Sequence, residues 1–114
     1  VDMYGECKIV GTPEEASSLM NAVLEDKQAI KSRLEVPFNV LNEHALSDAE
    51  RLGAIGYCFG GALVLNMARM GMGLRAVVSF HGALDSFFNH LPDDVKAKVL
   101  SAMVKRLSLF QKNL

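Results

Sequence analysis

Residues 56–61 read Gly-Tyr-Cys-Phe-Gly-Gly, with a thiol between glycines, after an apolar run and before a long helical pattern. A cysteine that only fills a core needs no glycine two positions before it and two more just after. A cysteine lifted to the apex of a sharp strand-to-helix turn does. There the side chain projects above the sheet, the helix N-terminus favours a thiolate, and nearby backbone N–H groups can hold an oxyanion. The spacing is that of a nucleophile elbow, G-x-[S/C]-x-G, with Cys58 as the nucleophile and the backbone amide of Phe59 as one oxyanion donor. Crowding at the apex accounts for Gly56 and Gly60, and Gly61 lets the helix pack closely on its strand. Two other readings stand beside it. A lone cysteine is often a small buried hydrophobe. A glycine-rich turn can also cradle a phosphate, although this one lacks both G-x-G-x-x-G and the lysine of a P-loop.

A cysteine nucleophile needs a base. His81 ends the strand that follows the elbow; neighbouring strands lie about 5 Å apart and would bring both residues to one edge of the sheet. His81 is therefore the base candidate, and the competing reading makes Phe80-His81-Gly82 a structural strand end. His44 and His90 sit in polar contexts that suit solvent. Asp85 follows His81 too closely to be assigned as its orienting partner, and Cys7 has neither an elbow nor a nearby base. No group of Cys, His, Asp and Glu has metal-ligand spacing, so neither metal nor cofactor is expected.

The elements that must position these residues are legible around them. Leu52–Tyr57 reads as a buried strand, Ala62–Met70 as a helix apolar nearly all round, and Leu74–Phe80 as a second buried strand. Gly71 and Gly73 are the helix stop. Continuous apolar strands flanking a helix point to a parallel sheet, with a right-handed strand–helix–strand unit over 52–80. Upstream, Thr12-Pro13-Glu14-Glu15 is a helix start with an N-cap, a proline at the first position and a capping-box glutamate. Ala16, Leu19, Met20, Val23, Leu24, Ile30 and Leu34 then form one apolar stripe. Pro37 breaks or kinks that run, a second short helix passes through Phe38, Leu41 and Ala45, and Ser47-Asp48-Ala49-Glu50 starts a single turn. Beyond Pro92, the apolar positions from Val95 to Leu114 suit an amphipathic helix starting at Asp93 or Asp94, while Val95–Leu100 taken alone suits a strand.

Composition bounds the partners. The 114 residues are half apolar and carry a formal net charge of −1, which suits a single soluble domain or part of one. No basic surplus or like-charge block points to nucleic acid. No apolar stretch approaches the roughly 18 residues that span a bilayer, and the N-terminal residues do not form a secretory signal. Cys7 and Cys58 lie far apart without CxxC spacing and read as free thiols in a reducing, cytoplasmic compartment.

Together, Ile55–Gly61, Leu65–Arg69 and Val77–Gly82, with Asp2–Gly5 and Pro13–Ala16 ahead of them, resemble the dienelactone hydrolase family, a branch of the α/β-hydrolases. The resemblance is clearest over residues 1–84. It implies a partial α/β-hydrolase fold, with parallel strands and packed helices in three αβα layers. It further implies a Cys58 nucleophile acting with an acidic residue and a histidine on small esters or lactones. In the family those two partners follow the nucleophile, and residues 95–114 offer no identifiable counterpart to either. The strands that carry the second oxyanion donor are expected ahead of Val1. The expectation is a truncated hydrolase with little turnover alone, prone to self-association through open sheet edges or the tail helix. The alternative is an inactive remnant that serves as an interaction module.

Overall fold

The computed structural model describes residues 1–103. The order of elements is α1 (Pro13–Glu25), α2 (Lys27–Glu43), a 3-10 turn (Ala49–Arg51), β1 (Gly53–Tyr57), α3 (Phe59–Arg69), β2 (Ala76–Phe80), a second 3-10 turn (Pro92–Asp94) and β3 (Lys98–Ala102). The strands form one parallel sheet in the order β1-β2-β3. Parallel strands with helices packed on them give the αβα-like arrangement expected of a partial α/β-hydrolase fold.

α1 starts where its caps dictate. Thr12 Oγ1 accepts from the Glu15 N–H at 3.2 Å, and Glu15 Oε2 accepts from the Gly11 N–H at 3.1 Å. The apolar stripe is not one helix, however. Asp26 interrupts it, closing α1 and capping α2 by accepting from the Ala29 N–H at 2.9 Å. An aspartate whose side chain satisfies a free helix N–H competes effectively with continuing the helix.

Pro37 does not end the run: α2 continues through it to Glu43 as a single element. The missing N–H costs one helical hydrogen bond, but Leu34 is buried just before it and Phe38 packs on the core just after. Those anchors on either side of the proline hold the backbone helical, as tertiary contacts often do against local preference.

The core lies between α3 and its neighbours. Ile30 and Leu34 of α2 and Val23 of α1 meet Leu63, Val64 and Met67 of α3, and Leu74 and Val77 close the cluster from the sheet side. Ile30 and Val77 are fully buried, each contributing about 1.5–3 kcal/mol of apolar transfer free energy. On the sheet face away from α3 the alternate row is open, with Ile55 and Tyr57 each 61% exposed and Leu100 59%. Tyr57 stacks there on Phe80, its register partner, at 4.9 Å between ring centroids.

The helix expected from Asp93 or Asp94 is corrected by the structure. Residues 92–94 make one 3-10 turn, and Lys98–Ala102 is the third strand. Parallel pairing with β2 decides it: Arg75 C=O accepts from the Lys98 N–H at 3.0 Å, and Ala102 C=O from the His81 N–H at 2.7 Å. The rest of the expected tail helix, residues 104–114, lies outside the described residues.

Candidate functional site

β1 ends at Tyr57 and α3 begins at Phe59, so the entire strand-to-helix turn is Cys58. Its backbone sits at φ 50°, ψ −120°, a region that L-residues occupy only under constraint. Three contacts supply the constraint. Phe80 C=O accepts from the Cys58 N–H at 3.0 Å, tying the apex to β2, and Cys58 C=O accepts from the Ala62 N–H at 3.2 Å. Under the turn, a Cβ on Gly56 would stand 2.1 Å from the Gly60 carbonyl oxygen, so only glycine fits there.

The other glycines divide unevenly. A Cβ on Gly61 would stand 2.7 Å from Ser79 Oγ and 3.0 Å from Gly82 Cα, whereas one on Gly60 would meet nothing within 4 Å. Crowding therefore accounts for Gly56 and Gly61 but not for Gly60, whose carbonyl makes the crowding at Gly56. Gly82 is the glycine that spacing did not single out. A Cβ there would stand 2.5 Å from Ala62 N, so the chain leaving β2 lies directly on the first turn of α3. Between these glycines the Ser79 hydroxyl is fully buried without a hydrogen-bond partner among the described residues.

His81 follows β2, directly after Phe80, and takes a left-handed backbone, φ 43°. That conformation brings its ring to the elbow, with Cys58 Sγ 3.1 Å from His81 Nδ1 and 3.9 Å from Nε2. The first distance is hydrogen-bonding contact, and both side chains are exposed. With the neutral imidazole protonated on Nε2, the thiol donates to Nδ1; after proton transfer, Nδ1–H donates to the thiolate. Two residues 23 positions apart, each in a strained conformation, are thus joined above the ends of adjacent parallel strands. Phe59, Gly60 and Gly61 open α3, and the N–H groups of a helix's first turn lack intrahelical acceptors. Those amides give the turn its capacity to hold an oxyanion.

The N-terminal segment borders the same corner. Tyr4 stacks on Phe59, with ring centroids 6.5 Å apart and planes 7° from parallel. Its loop is built on Asp2, whose Oδ1 accepts from the N–H groups of Tyr4 and Gly5 and whose Oδ2 accepts from that of Cys7. The Cys7 hydrogen bond, followed by that of Gly5, holds the Asp2 carboxyl below its ordinary value. Arg33 donates to the Met3 carbonyl and anchors the loop to α2. A cavity of about 320 Å³ lies on the β1 side, lined by residues including Leu34, Phe38, Ile55, Leu63 and Leu74; of the elbow residues, only Gly60 reaches it.

Cys7 and Cys58 are both free thiols. His44 accepts from the Leu46 N–H and His90 contacts Ser86, so neither joins the elbow. Among the described residues no carboxylate is hydrogen-bonded to His81, and none group as metal ligands. Two further residues, Asn66 and Arg69, touch the segment that follows His81. The signal for Asn66 was available as a lone amide within an otherwise apolar helix.

A sequence model of the dienelactone hydrolase family matches residues 1–113. An uncharacterized protein of Caenorhabditis elegans is 46% identical over 56 residues, 48% of this chain and 35% of that protein. A probable 2-oxo-3-(5-oxofuran-2-ylidene)propanoate lactonase of a Bradyrhizobium species is 32% identical over 84 residues, 67% of this chain and 33% of that protein. Among solved structures, one named m3DLH superposes with a TM-score of 0.75 at 31% identity, over 90% of this chain and 42% of that one. A dienelactone hydrolase-like promiscuous phosphotriesterase from metagenomic libraries superposes with a TM-score of 0.72 at 30% identity, with the same coverage. The chain spans about a third of the length of the curated relatives it matches.

Proposed function

The chain belongs to the dienelactone hydrolase family, and from that premise we propose that it carries the acyl-transfer centre of a cysteine hydrolase acting on small carboxylic esters or lactones. The observation that carries this reading is the 3.1 Å contact between Cys58 Sγ and His81 Nδ1 above the N-terminus of α3. The lactonase named among the relatives supports the substrate class.

In this mechanism His81 Nδ1 accepts the thiol proton as the sulfur attacks the carbonyl carbon. The carbonyl π-electrons move to oxygen, and the Phe59 amide at the start of α3 stabilises that oxyanion. Collapse re-forms the carbonyl and breaks the carbon–oxygen bond. The alkoxide leaves with the proton held on the imidazolium, and a thioester remains on Cys58. Water then gives a proton to His81 and its hydroxyl to the thioester, releasing the acid and restoring the thiol. With no carboxylate on His81 among the described residues, the second half is the slow one.

Pre-steady-state hydrolysis of a small activated ester tests the proposal. The expected result is a burst of about one leaving group per chain followed by slow turnover, with the burst absent in Cys58→Ala and slowed about 100-fold in His81→Ala. An undiminished burst in Cys58→Ala would sink it.

A second reading rests on a different observation, the open apolar row Ile55, Tyr57 and Leu100 on the sheet face away from α3. On that reading two copies of the chain meet through this face. Sedimentation equilibrium separates the cases: a concentration-dependent dimer lost in Ile55→Lys supports association, and a monomer at all concentrations excludes it.

A further inference from the structure

His81 meets Cys58 with its own backbone left-handed, and no carboxylate among the described residues is hydrogen-bonded to its ring. On the β3 side, Ala102 C=O accepts from the His81 N–H, which holds the peptide but leaves the exit direction of the chain free. That direction is fixed three to six residues later by α3. Asn66 is fully buried about two turns past Cys58. Its Nδ2 donates to Ala62 C=O at 2.9 Å and to Asp85 C=O at 3.1 Å, while its Oδ1 accepts from the Phe87 N–H at 2.8 Å. Arg69, one turn further on, donates from Nη1 to Asp85 C=O at 2.9 Å and from Nη2 to Leu84 C=O at 2.7 Å.

We infer that Asn66 and Arg69 are positioning residues for His81, clamping the backbone of residues 84–87 onto the helix that carries Cys58 at its start. The inference rests on the assignment of His81 as the base. All four clamp bonds to the loop go to backbone groups, so the loop's own side chains are not what the clamp reads. Gly82, pressed on Ala62, and the clamp at 84–87 make two fixed points of the exit path from β2, and His81 must turn sharply to meet both. Released at the far point, the chain relaxes toward the extended backbone that a histidine prefers, and the imidazole leaves the thiol. One helix thus carries the nucleophile at its N-terminus and, from its later turns, sets the pose of the base.

The test is the rate of Cys58 alkylation by iodoacetamide at neutral pH, read at the Cys58 peptide by mass spectrometry so that Cys7 does not contribute. Arg69→Met keeps the aliphatic stem and removes the donors. It is expected to slow alkylation about fivefold, because the imidazole that takes the thiol proton would be displaced. Arg69→Lys, which keeps one donor nitrogen in place of two, should restore at least half the wild-type rate. In a His81→Ala background Arg69→Met should have no further effect, since Arg69 acts through the imidazole. Asn66→Asp, which turns a donor into an acceptor facing two carbonyls, should behave like Arg69→Met where circular dichroism shows it folded. A wild-type rate in Arg69→Met alongside a slow His81→Ala overturns the clamp and leaves the base assignment standing. An equal loss in both backgrounds also overturns the clamp, because Arg69 would then act by another route. A wild-type rate in His81→Ala overturns the base assignment and the clamp together.

Discussion

Gly61 and Gly82 meet backbone to backbone, so closely that a Cβ on Gly61 would stand 3.0 Å from Gly82 Cα, and one on Gly82 would stand 2.5 Å from Gly61 C. This contact sets the distance between the elbow and the strand end that bears His81. Alanine at either position must push α3 away from the exit of β2, since the opposing atoms include backbone that cannot rotate aside. Gly82→Ala is expected to cost about 1–3 kcal/mol, the usual range for overpacking. It should also separate His81 from Cys58. Urea denaturation gives the first quantity and the ester burst the second; a mutant with wild-type stability and burst would show that the contact opens without consequence.

Gly56 and Gly60 share the elbow motif but should respond oppositely. A methyl on Gly56 collides with the Gly60 carbonyl at 2.1 Å, while a methyl on Gly60 meets nothing within 4 Å. Gly60 lies in the first turn of α3, where alanine restricts the unfolded chain more than glycine does. Gly60→Ala should therefore be neutral or stabilising by about 0.5–1 kcal/mol, and Gly56→Ala should fail to fold or lose several degrees in Tm. Thermal melts of the two variants decide it, and equal losses in both would contradict the steric distinction.

That distinction also marks how far the sequence could be read. The parallel β1-α3-β2 unit was legible because apolar runs bounded by glycines leave few alternatives, and Cys58 followed from the spacing of its glycines. His81 was identifiable as the end of the next strand, but two readings competed. The position of its ring goes with its own φ and the exit path after it, neither of which a local pattern encodes. The same limit applies to Gly82, whose requirement comes from Gly61 and Ala62, some 20 residues upstream. At β3 the sequence left two readings open. Val95, Val99 and Leu100 satisfy a helical period, Val95–Leu100 alone suits a strand, and pairing with β2 makes Lys98–Ala102, with Val99 and Leu100, the strand. Asp26 and Pro37 inverted expectation together: the aspartate breaks the helical stripe because it can cap, and the proline does not because Leu34 and Phe38 hold both sides.

Asp2 links pH to the corner beside Cys58. Hydrogen bonds from the Cys7 and Gly5 N–H groups, with a smaller contribution from Tyr4, hold its carboxyl below the ordinary 3.8. For a group depressed in the folded state, the stabilisation is present above the unfolded value and is lost as pH falls through the folded one. The Asp2–Cys7 loop should therefore be fully formed above about pH 5 and should loosen only below the ordinary carboxylate range. The group is exposed, so the effect on global stability is small and the local effect is the one to measure. Hydrogen exchange at the Tyr4, Gly5 and Cys7 amides should accelerate in Asp2→Asn at neutral pH. Amides protected equally in wild type and mutant would remove Asp2 as the organiser of the loop.

Cys58 itself carries the last prediction, because its backbone geometry costs stability. At φ 50° and ψ −120° the residue occupies a region where a Cβ is strained and glycine is not, and such strain costs of order 1–3 kcal/mol. Replacing Cys58 with glycine removes that strain along with the thiol. It also frees the unfolded chain, which takes back part of the gain. Cys58→Gly should thus be more stable than Cys58→Ala by about 1 kcal/mol, while neither variant gives an ester burst. The comparison with alanine isolates the backbone, since both variants lose the sulfur and its contact with His81. If the two melt at the same temperature, the elbow is held without strain, and the left-handed turn at Cys58 is simply where this backbone prefers to be.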